Sequence, residues 1–87
     1  MYFVYVLQSQ IHQKFYIGFT ENPAQRLREH NTGDNTSTKH GRPWQLIYLE
    51  GYLNKLDALH REKFLKSGSG HHYLAKQLQN YFQVSEM

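Results

Sequence analysis

The chain has 87 residues, no cysteine and a formal net charge of +3, and 15% of its residues are aromatic. This length allows one domain with a modest core, to which each buried ring adds a large contact area. The lack of cysteine excludes a disulfide scaffold and a thiolate-bound zinc site, and no stretch approaches the roughly 18 to 20 apolar residues of a membrane span. Since the N-terminus also lacks the pattern of a signal peptide, we expect a cytoplasmic protein without a membrane segment.

Two aromatic and aliphatic segments open the chain, and we predict a β-strand for each, over residues 2–7 and 14–19. The first segment is apolar on both faces, which is typical of an inner strand. If Leu7 pairs with Lys14, then Tyr5 lies opposite Tyr16 on the same face of the sheet. Gly18, which follows closely, would leave the backbone open to close approach by a ligand.

A helix start is indicated at Asn22, a capping residue that is followed by proline at the first helical position. We predict this helix over residues 24–31, ending before Gly33. Arg26 and His30 are four residues apart and therefore share one face of the helix. His30 either acts with Arg26 at one site or is a solvated histidine at the helix end.

Residues 32–43 are small, polar and basic, and a loop of this length in so small a domain is often functional or mobile. A third strand is predicted over residues 44–51. It is followed by a second helix over residues 55–66, for which Asn54 is the cap.

Glu62 is the most informative residue of the second helix. Its neighbours at about one helical turn are apolar: Ala58, Leu59 and Leu65. A carboxylate among core-facing residues must be paired, hydrogen-bonded or metal-bound. An ion pair with a nearby lysine or arginine and a metal site are therefore both open interpretations.

Residues 67–70 alternate serine and glycine and break the helical pattern. We interpret them as a turn between helices. A phosphate site at a helix start is the alternative, although the spacing and the lysine-hydroxyl ending of a P-loop are missing.

A third helix is predicted over residues 71–82, because apolar residues recur there at helical spacing. They form a core stripe of Leu74, Leu78, Tyr81 and Phe82. We therefore expect a single domain over residues 1–83 and a frayed tail over residues 84–87.

The positive charges are unevenly distributed along the chain. Clustered lysine and arginine supply the sequence-independent part of nucleic-acid affinity, so one interpretation is a surface that binds a polyanion. The other is a solvated basic surface, and composition does not choose between them. The basic residues lie in the long loop and on two predicted helices: Lys39 and Arg42, then Arg26 and Arg28, then Arg61, Lys63 and Lys66.

Several catalytic patterns are missing from the sequence, including the HExxH zinc motif and the nucleophile elbow. Two tyrosines, an arginine with a histidine, and one glutamate among apolar residues remain. A phenol or an imidazole can take a proton from water, an arginine can stabilise charge on a phosphate, and a carboxylate can hold a divalent ion. This set suits the cleavage of a phosphodiester bond.

Five short motifs occur in order along the chain, and the resemblance that they carry covers about residues 2–78. They are Val4-Tyr5-Val6, Tyr16-Ile17-Gly18, Arg26-Leu27-Arg28-Glu29-His30-Asn31, Arg42-Pro43 before a strand, and Arg61-Glu62-Lys63 on a helix. With this order and spacing the chain resembles the GIY-YIG endonuclease superfamily. It looks closest to the small stand-alone bacterial members, which are similar to the N-terminal incision domain of the UvrC excision-repair subunit.

The resemblance implies an α/β fold of the α+β type, in which helices flank a small central antiparallel sheet of three strands. It implies that Tyr5 or Tyr16 is the general base that activates water. Arg26, assisted by His30, would stabilise the scissile phosphate. Glu62 would bind a single Mg²⁺ or Mn²⁺ ion.

A nucleic-acid substrate would, by the same resemblance, contact residues from three parts of the chain: Gly18, Lys39, Arg42, Lys66 and His71. The chain departs from the family pattern in three places. The first motif reads Val-Tyr-Val rather than Gly-Ile-Tyr, Phe19 stands where many active nucleases carry a lysine, and His71 stands where the subgroup carries an arginine.

We therefore predict a divalent-metal-dependent endonuclease of the nicking type that acts on DNA and serves DNA repair or recombination. One alternative is a non-catalytic module that keeps the fold and binds nucleic acid. Another is a nuclease subunit that depends on a targeting protein, since we expect no separate DNA-binding domain in the chain.

Overall fold

The computed structural model describes residues 1–86, with side chains as far as residue 83. Its strands are β1 (Tyr2–Ser9), β2 (Phe15–Thr20) and β3 (Trp44–Tyr52). Its α-helices are α1 (Pro23–Thr32), α2 (Lys55–Leu65), α3 (Gly68–Gln77) and α4 (Gln79–Glu86), and a short 3-10 helix spans Lys39–Gly41. None of the described helices is long and apolar enough to cross a membrane.

The three strands form one antiparallel sheet in the order β2-β1-β3, so β1 is the inner strand, as its two apolar faces predict. Alternate side chains of β1 point to opposite faces of the sheet. Val4 and Val6 pack against α2 and α3 on one face, and Tyr5 and Leu7 pack against α1 and the start of β3 on the other. This arrangement confirms the predicted α+β architecture.

The register of the β1-β2 hairpin differs from the predicted one by two residues. Tyr5 lies opposite Gly18 and Leu7 lies opposite Tyr16, so the predicted pairings of Tyr5 with Tyr16 and of Leu7 with Lys14 are wrong. A shift of two residues keeps every side chain on its own face, because the side-chain period of a strand is two. The rings of Tyr5 and Tyr16 therefore still share a face, with their centroids 6.2 Å apart.

Helix α1 is capped as its sequence predicts. The side chain of Asn22 accepts a hydrogen bond from the backbone N–H of Gln25 at 3.2 Å, and Gly33 ends the helix in the left-handed region with φ of 87°. Only a residue without a Cβ adopts this φ at little cost. These two ends place the last turn of α1 over the sheet face that carries Tyr5.

Helix α2 is attached to β3 by an ion pair among aromatic side chains. The Glu50 carboxylate accepts hydrogen bonds from Nε and Nη2 of Arg61, at 2.8 and 3.0 Å, and from the hydroxyls of Tyr48 and Tyr52. The Arg61 guanidinium also lies 4.5 Å from the ring centroid of Tyr73 on α3. Burial, the largest single influence, raises the pKa of Glu50, yet these hydrogen bonds bring it below its ordinary value. The network sets how α2 is rotated against the sheet.

Helix α3 begins three residues earlier than predicted, because the serine-glycine stretch forms its first turn. The Ser67 hydroxyl accepts a hydrogen bond from the backbone N–H of Gly70 at 3.1 Å and so caps the helix. The predicted helix over residues 71–82 is also divided at Leu78, where α3 gives way to α4. Of the predicted tail, residues 84–87, the last residue and all of the side chains lie outside the described residues.

The two glycines of this first turn provide a matched test of how α3 packs on α2. A Cβ atom at Gly70 would overlap the carbonyl oxygen of Phe64 and the Cα atom of Leu65, whereas a Cβ at Gly68 would meet no atom within 4 Å. We expect Gly70→Ala to lower the free energy of unfolding by about 1–3 kcal/mol. Gly68→Ala should leave it unchanged or raise it by up to about 1 kcal/mol. Urea unfolding measures both, and equal stability of the two variants would contradict this packing.

Candidate active site

A buried hydrogen bond joins the hydroxyl of Tyr5 to the imidazole of His30. Tyr5 Oη lies 3.0 Å from His30 Nε2. Tyr5 is only 3% exposed and His30 is fully buried. The interpretation of His30 as a solvated histidine at the helix end is therefore wrong. The imidazole lies beneath the last turn of α1, where Tyr5 of the inner strand provides a polar partner.

The other ring nitrogen of His30 also has a buried partner. Nδ1 lies 2.7 Å from Oγ1 of Thr38, a residue that is 1% exposed. Thr38 belongs to the long loop between α1 and β3, and the sequence analysis missed it. No periodicity marks a single loop residue, and the one available signal was a loop too long to be a simple connection.

The residues that flank this loop hold it in place. The carboxamide of Asn31 accepts a hydrogen bond from the backbone N–H of Trp44 at 2.6 Å and donates one to the carbonyl of Trp44 at 3.0 Å. The indole N–H of Trp44 donates to the carbonyl of Thr38 at 2.7 Å, and Ser9 Oγ donates to the carbonyl of Gly41 at 2.6 Å. The loop is thus fixed to α1, β1 and β3, and it delivers Thr38 to His30.

Tyr16 completes an aromatic cluster with Tyr5 and His30. Its ring centroid lies 4.8 Å from that of the imidazole, and Tyr16 is the more exposed of the two tyrosines. Gly18 makes the cluster possible, because a Cβ at this position would overlap the hydroxyl of Tyr5. The space beside Gly18 is filled by Tyr5, so the predicted reason for this glycine, an opening for a ligand, is wrong.

Arg26 lies one helical turn before His30 on α1. Its side chain is 41% exposed, and Nη1 lies 3.6 Å from the carboxylate of Glu29. An exposed ion pair of this kind contributes little to stability. A phosphate can therefore displace Glu29 from the guanidinium at small cost.

Glu62 forms an ion pair with Lys66, one turn later on α2, at 2.9 Å. This confirms the ion-pair interpretation of Glu62. Its side chain is 19% exposed, whereas that of Lys66 is 54% exposed. The carboxylate is thus partly covered, and its partner is an exposed lysine.

The residue types present fit a single hard divalent ion. Among the side chains that the structure describes, no three histidine or acidic residues are grouped as metal ligands. Mg²⁺ does not need such a group, because proteins commonly hold it by one or two carboxylates together with water and substrate phosphates. Glu62 can serve as that carboxylate if the ammonium group of Lys66 moves away.

Charges from two helices act on the hydroxyl of Tyr5. Burial, followed by the neighbouring Tyr16, raises its pKa well above the ordinary value. The guanidinium of Arg26 on α1 lowers this pKa, and the carboxylate of Glu62 on α2 raises it. The phenol is therefore protonated at neutral pH, and Arg26 and Glu62 both lie close enough to influence it.

His30 is a neutral proton acceptor at neutral pH. Burial, and then the positive charge of Arg26, lowers its pKa below the ordinary value, against an opposing effect of Glu29. A neutral imidazole hydrogen-bonded to a phenol can take the phenol's proton. The site thus combines a route for one proton with a guanidinium and a carboxylate.

The remaining predicted contacts with nucleic acid fall into two groups. Lys39 and Arg42 are exposed on the loop that carries Thr38, where Arg42 Nε donates to the carbonyl of Lys39 at 2.7 Å. Lys66 and His71, at the junction of α2 and α3, line a groove of about 1160 Å³ on the other face of the sheet. The structure therefore does not bring these four residues together.

Phe19 occupies a structural position. Its ring stacks on that of Tyr2 with centroids 6.0 Å apart, and both rings pack against the core cluster beneath α2. The aromatic ring at this position therefore extends the core.

Comparison with known proteins identifies the family of the chain. A family model described as the GIY-YIG catalytic domain matches residues 1–76. The structure-specific endonuclease subunit slx1 of Schizosaccharomyces pombe is 45% identical over 65 residues, which cover 67% of this chain and 24% of that protein. The corresponding subunit of Vanderwaltozyma polyspora is 40% identical over 81 residues, 84% of this chain and 25% of that protein.

A bacterial relative is similar to the chain over most of its own length. A UPF0213 protein of Oceanobacillus iheyensis is 33% identical over 66 residues, which cover 75% of this chain and 76% of that protein. By contrast, the chain spans about a quarter or less of the endonuclease subunits that it matches.

The buried, neutral state of His30 predicts a pH dependence of stability. The unfolded chain has a histidine pKa of about 6.5, whereas the folded chain has a lower one, so the unfolded state binds the proton first. The contribution of His30 is full above about pH 6.5 and is lost as pH falls from there through the folded pKa. We expect His30→Gln to show a shallower fall of Tm between about pH 7.5 and 5.5 than the wild type. His60→Gln, at an exposed position, should keep the wild-type slope. A wild-type slope in His30→Gln would contradict the burial of a neutral imidazole.

Proposed function

Since the chain belongs to the GIY-YIG family, we propose that it is an endonuclease that hydrolyses phosphodiester bonds in DNA and nicks one strand at a time. The observation that carries this proposal is the buried hydrogen bond between Tyr5 and His30, and the charges of Arg26 on α1 and Glu62 on α2 both act on the hydroxyl of Tyr5. Family membership supports the reaction class, and the geometry supports the roles that we propose for these residues.

Tyr5 acts as the general base together with His30. Tyr5 Oη takes a proton from the attacking water while its own proton passes to Nε2 of His30, 3.0 Å away. The water oxygen then bonds to phosphorus, and the bond from phosphorus to the 3′-oxygen breaks. A phenol with a raised pKa is a weak base when isolated, and the neutral imidazole behind it supplies the proton acceptor that it lacks.

Arg26 binds the scissile phosphate and stabilises the charge that grows on it. Its guanidinium is a planar, permanently charged donor suited to phosphate oxygens, and its pairing with Glu29 is exposed and long. Because Arg26 and His30 are four residues apart on α1, the phosphate that Arg26 holds lies on the helix face that carries the imidazole.

Glu62 would hold one divalent ion, Mg²⁺ or Mn²⁺. When bound, such an ion neutralises charge on the phosphate and on the departing 3′-oxygen. Lys66 pairs with Glu62 in the free protein and, once displaced, provides a cation for a neighbouring phosphate.

A second protein would supply the recognition of DNA structure. The relatives in Schizosaccharomyces pombe and Vanderwaltozyma polyspora are named as subunits, and this chain matches only about a quarter of each. Because these relatives are named as subunits, we propose a targeting partner and a role in DNA repair or recombination within the cytoplasm.

Nicking of supercoiled plasmid with Mg²⁺ or Mn²⁺ tests the roles of the two charged residues. We expect Arg26→Gln and Glu62→Gln each to lower the nicking rate by about 10²–10³-fold, because each removes charge stabilisation of the reacting phosphate. Arg28→Gln and Glu21→Gln change exposed residues of the same types and should keep the wild-type rate.

Equal nicking by the wild type and both site variants would point to a contaminating nuclease and overturn the proposal. Salt-dependent DNA binding without cleavage in either metal ion would instead favour a non-catalytic binding module.

The two tyrosines are distinguished by removing one hydroxyl at a time. Tyr5→Phe should lower the rate of strand cleavage by about 10²–10⁴-fold, since it removes the group that transfers the proton. Tyr16→Phe keeps the ring against His30 and should cost less than about 10-fold. Single-turnover cleavage of a labelled oligonucleotide measures both, and a larger loss for Tyr16→Phe would move the general base to Tyr16.

A further inference from the structure

We propose that Thr38 is a positioning residue that fixes the tautomer of His30, with the ring proton on Nδ1 and with Nε2 left to accept the proton of Tyr5. The catalytic consequence rests on the proposed function, whereas the tautomer itself does not. The inference concerns the chain of three buried side chains Tyr5, His30 and Thr38.

The donors and acceptors of these three side chains select one arrangement of their protons. The Thr38 hydroxyl has one proton and two neighbours, Nδ1 of His30 at 2.7 Å and the carbonyl of Asn35 at 3.4 Å. If it donates to Asn35, it accepts from Nδ1–H, and Nε2 is then unprotonated and accepts from the hydroxyl of Tyr5. Every proton in this arrangement has an acceptor.

The opposite tautomer leaves a buried proton without an acceptor. If Thr38 donates to Nδ1, Nε2 carries the proton and donates to Tyr5 Oη. Among the hydrogen bonds of the described residues the Tyr5 hydroxyl has no partner besides Nε2, and Tyr5 is 3% exposed. In the free protein the proton of this buried hydroxyl then has no acceptor, which is unfavourable, so the first tautomer is preferred.

Thr38 can select a tautomer because hydrogen bonds hold its part of the loop to Trp44 and, through Trp44, to the helix that carries His30. Its N–H donates to the carbonyl of Asn35 at 3.2 Å, and its carbonyl accepts from the indole of Trp44 at 2.7 Å. Trp44 is bound in turn through its backbone to Asn31, the residue next to His30. The hydroxyl therefore cannot follow the imidazole if the ring rotates.

Thr38 contributes to the reaction because its hydroxyl accepts the hydrogen bond from Nδ1–H of His30. For Tyr5 to act as a general base, an unprotonated nitrogen must be ready to accept its proton when the water is deprotonated. With Nδ1–H held by Thr38, the lone pair of Nε2 points at Tyr5 before the substrate arrives. Partners of this kind, behind a functional histidine, typically contribute about 10–100-fold to activity at metal-bound histidines, and we expect a similar effect here.

Two substitutions at one position separate the hydroxyl from the packing. Thr38→Val keeps the shape of the side chain and removes the hydroxyl, whereas Thr38→Ser keeps the hydroxyl and removes a methyl group. Thr36→Val changes an exposed threonine of the same loop and serves as the control.

The first measurement is ¹⁵N NMR of the histidine side chains, with the His30 signals assigned by their loss in His30→Gln. We expect protonated Nδ1 and unprotonated Nε2 in the wild type, in Thr38→Ser and in Thr36→Val at neutral pH. In Thr38→Val the protonated nitrogen should change, wholly or in part, to Nε2.

The second measurement is the rate of strand cleavage. Thr38→Val should lower kcat by about 10–100-fold with KM unchanged, because substrate contacts are not altered, and Thr38→Ser should restore most of the rate.

A wild-type spectrum with the proton on Nε2 would overturn the inference, even if Thr38→Val failed to fold. An unchanged tautomer in a folded Thr38→Val would overturn it as well. Absence of cleavage in every variant, with the tautomers as expected, would reject the proposed nuclease function and leave the role of Thr38 in fixing the tautomer intact.

Discussion

The buried hydrogen bond between Tyr5 and His30 constrains most of this domain. A phenol and an imidazole that are removed from water and left unpaired cost about 1–3 kcal/mol each. They are paired only if the last turn of α1 lies against the middle of β1, if residue 18 has no side chain, and if Thr38 reaches Nδ1. One interaction thereby ties together the helix, the inner strand, its neighbour and the long loop.

Features of the fold that depend on residues within one turn could be predicted from the sequence. Features that depend on how one segment pairs with another could not. The caps Asn22 and Gly33 act on residues within one turn, so both were found. The hairpin register depends on the turn, where Ser9 N–H donates to the carbonyl of Lys14 and Ser9 Oγ accepts from the N–H groups of two turn residues. Alternation of side chains does not reveal a shift of two residues, and so it left this register undetermined.

The candidate site shows the same division. Motifs could predict which faces of their strand or helix Tyr5, Arg26 and Glu62 occupy, because spacing along a helix or a strand fixes the face of each residue. The burial of His30 could not, since a histidine in a last helical turn is solvated unless something covers it. What covers it is Thr38, eight residues away on a loop whose conformation depends on Trp44 and thus on the third strand.

Directional polar contacts determine the rotation of both helices that carry site residues. Apolar packing is non-directional and would allow a helix to turn on the sheet with little loss. On one face His30 accepts from Tyr5 and so sets the rotation of α1, and with it the direction of Arg26. On the other face Arg61 donates twice to Glu50 and sets the rotation of α2, and with it the direction of Glu62. Because each contact is lost on a small rotation, the two helices that carry the guanidinium and the carboxylate are oriented before any substrate is bound, and under the proposed function such orientation favours stabilisation of a transition state by these charges.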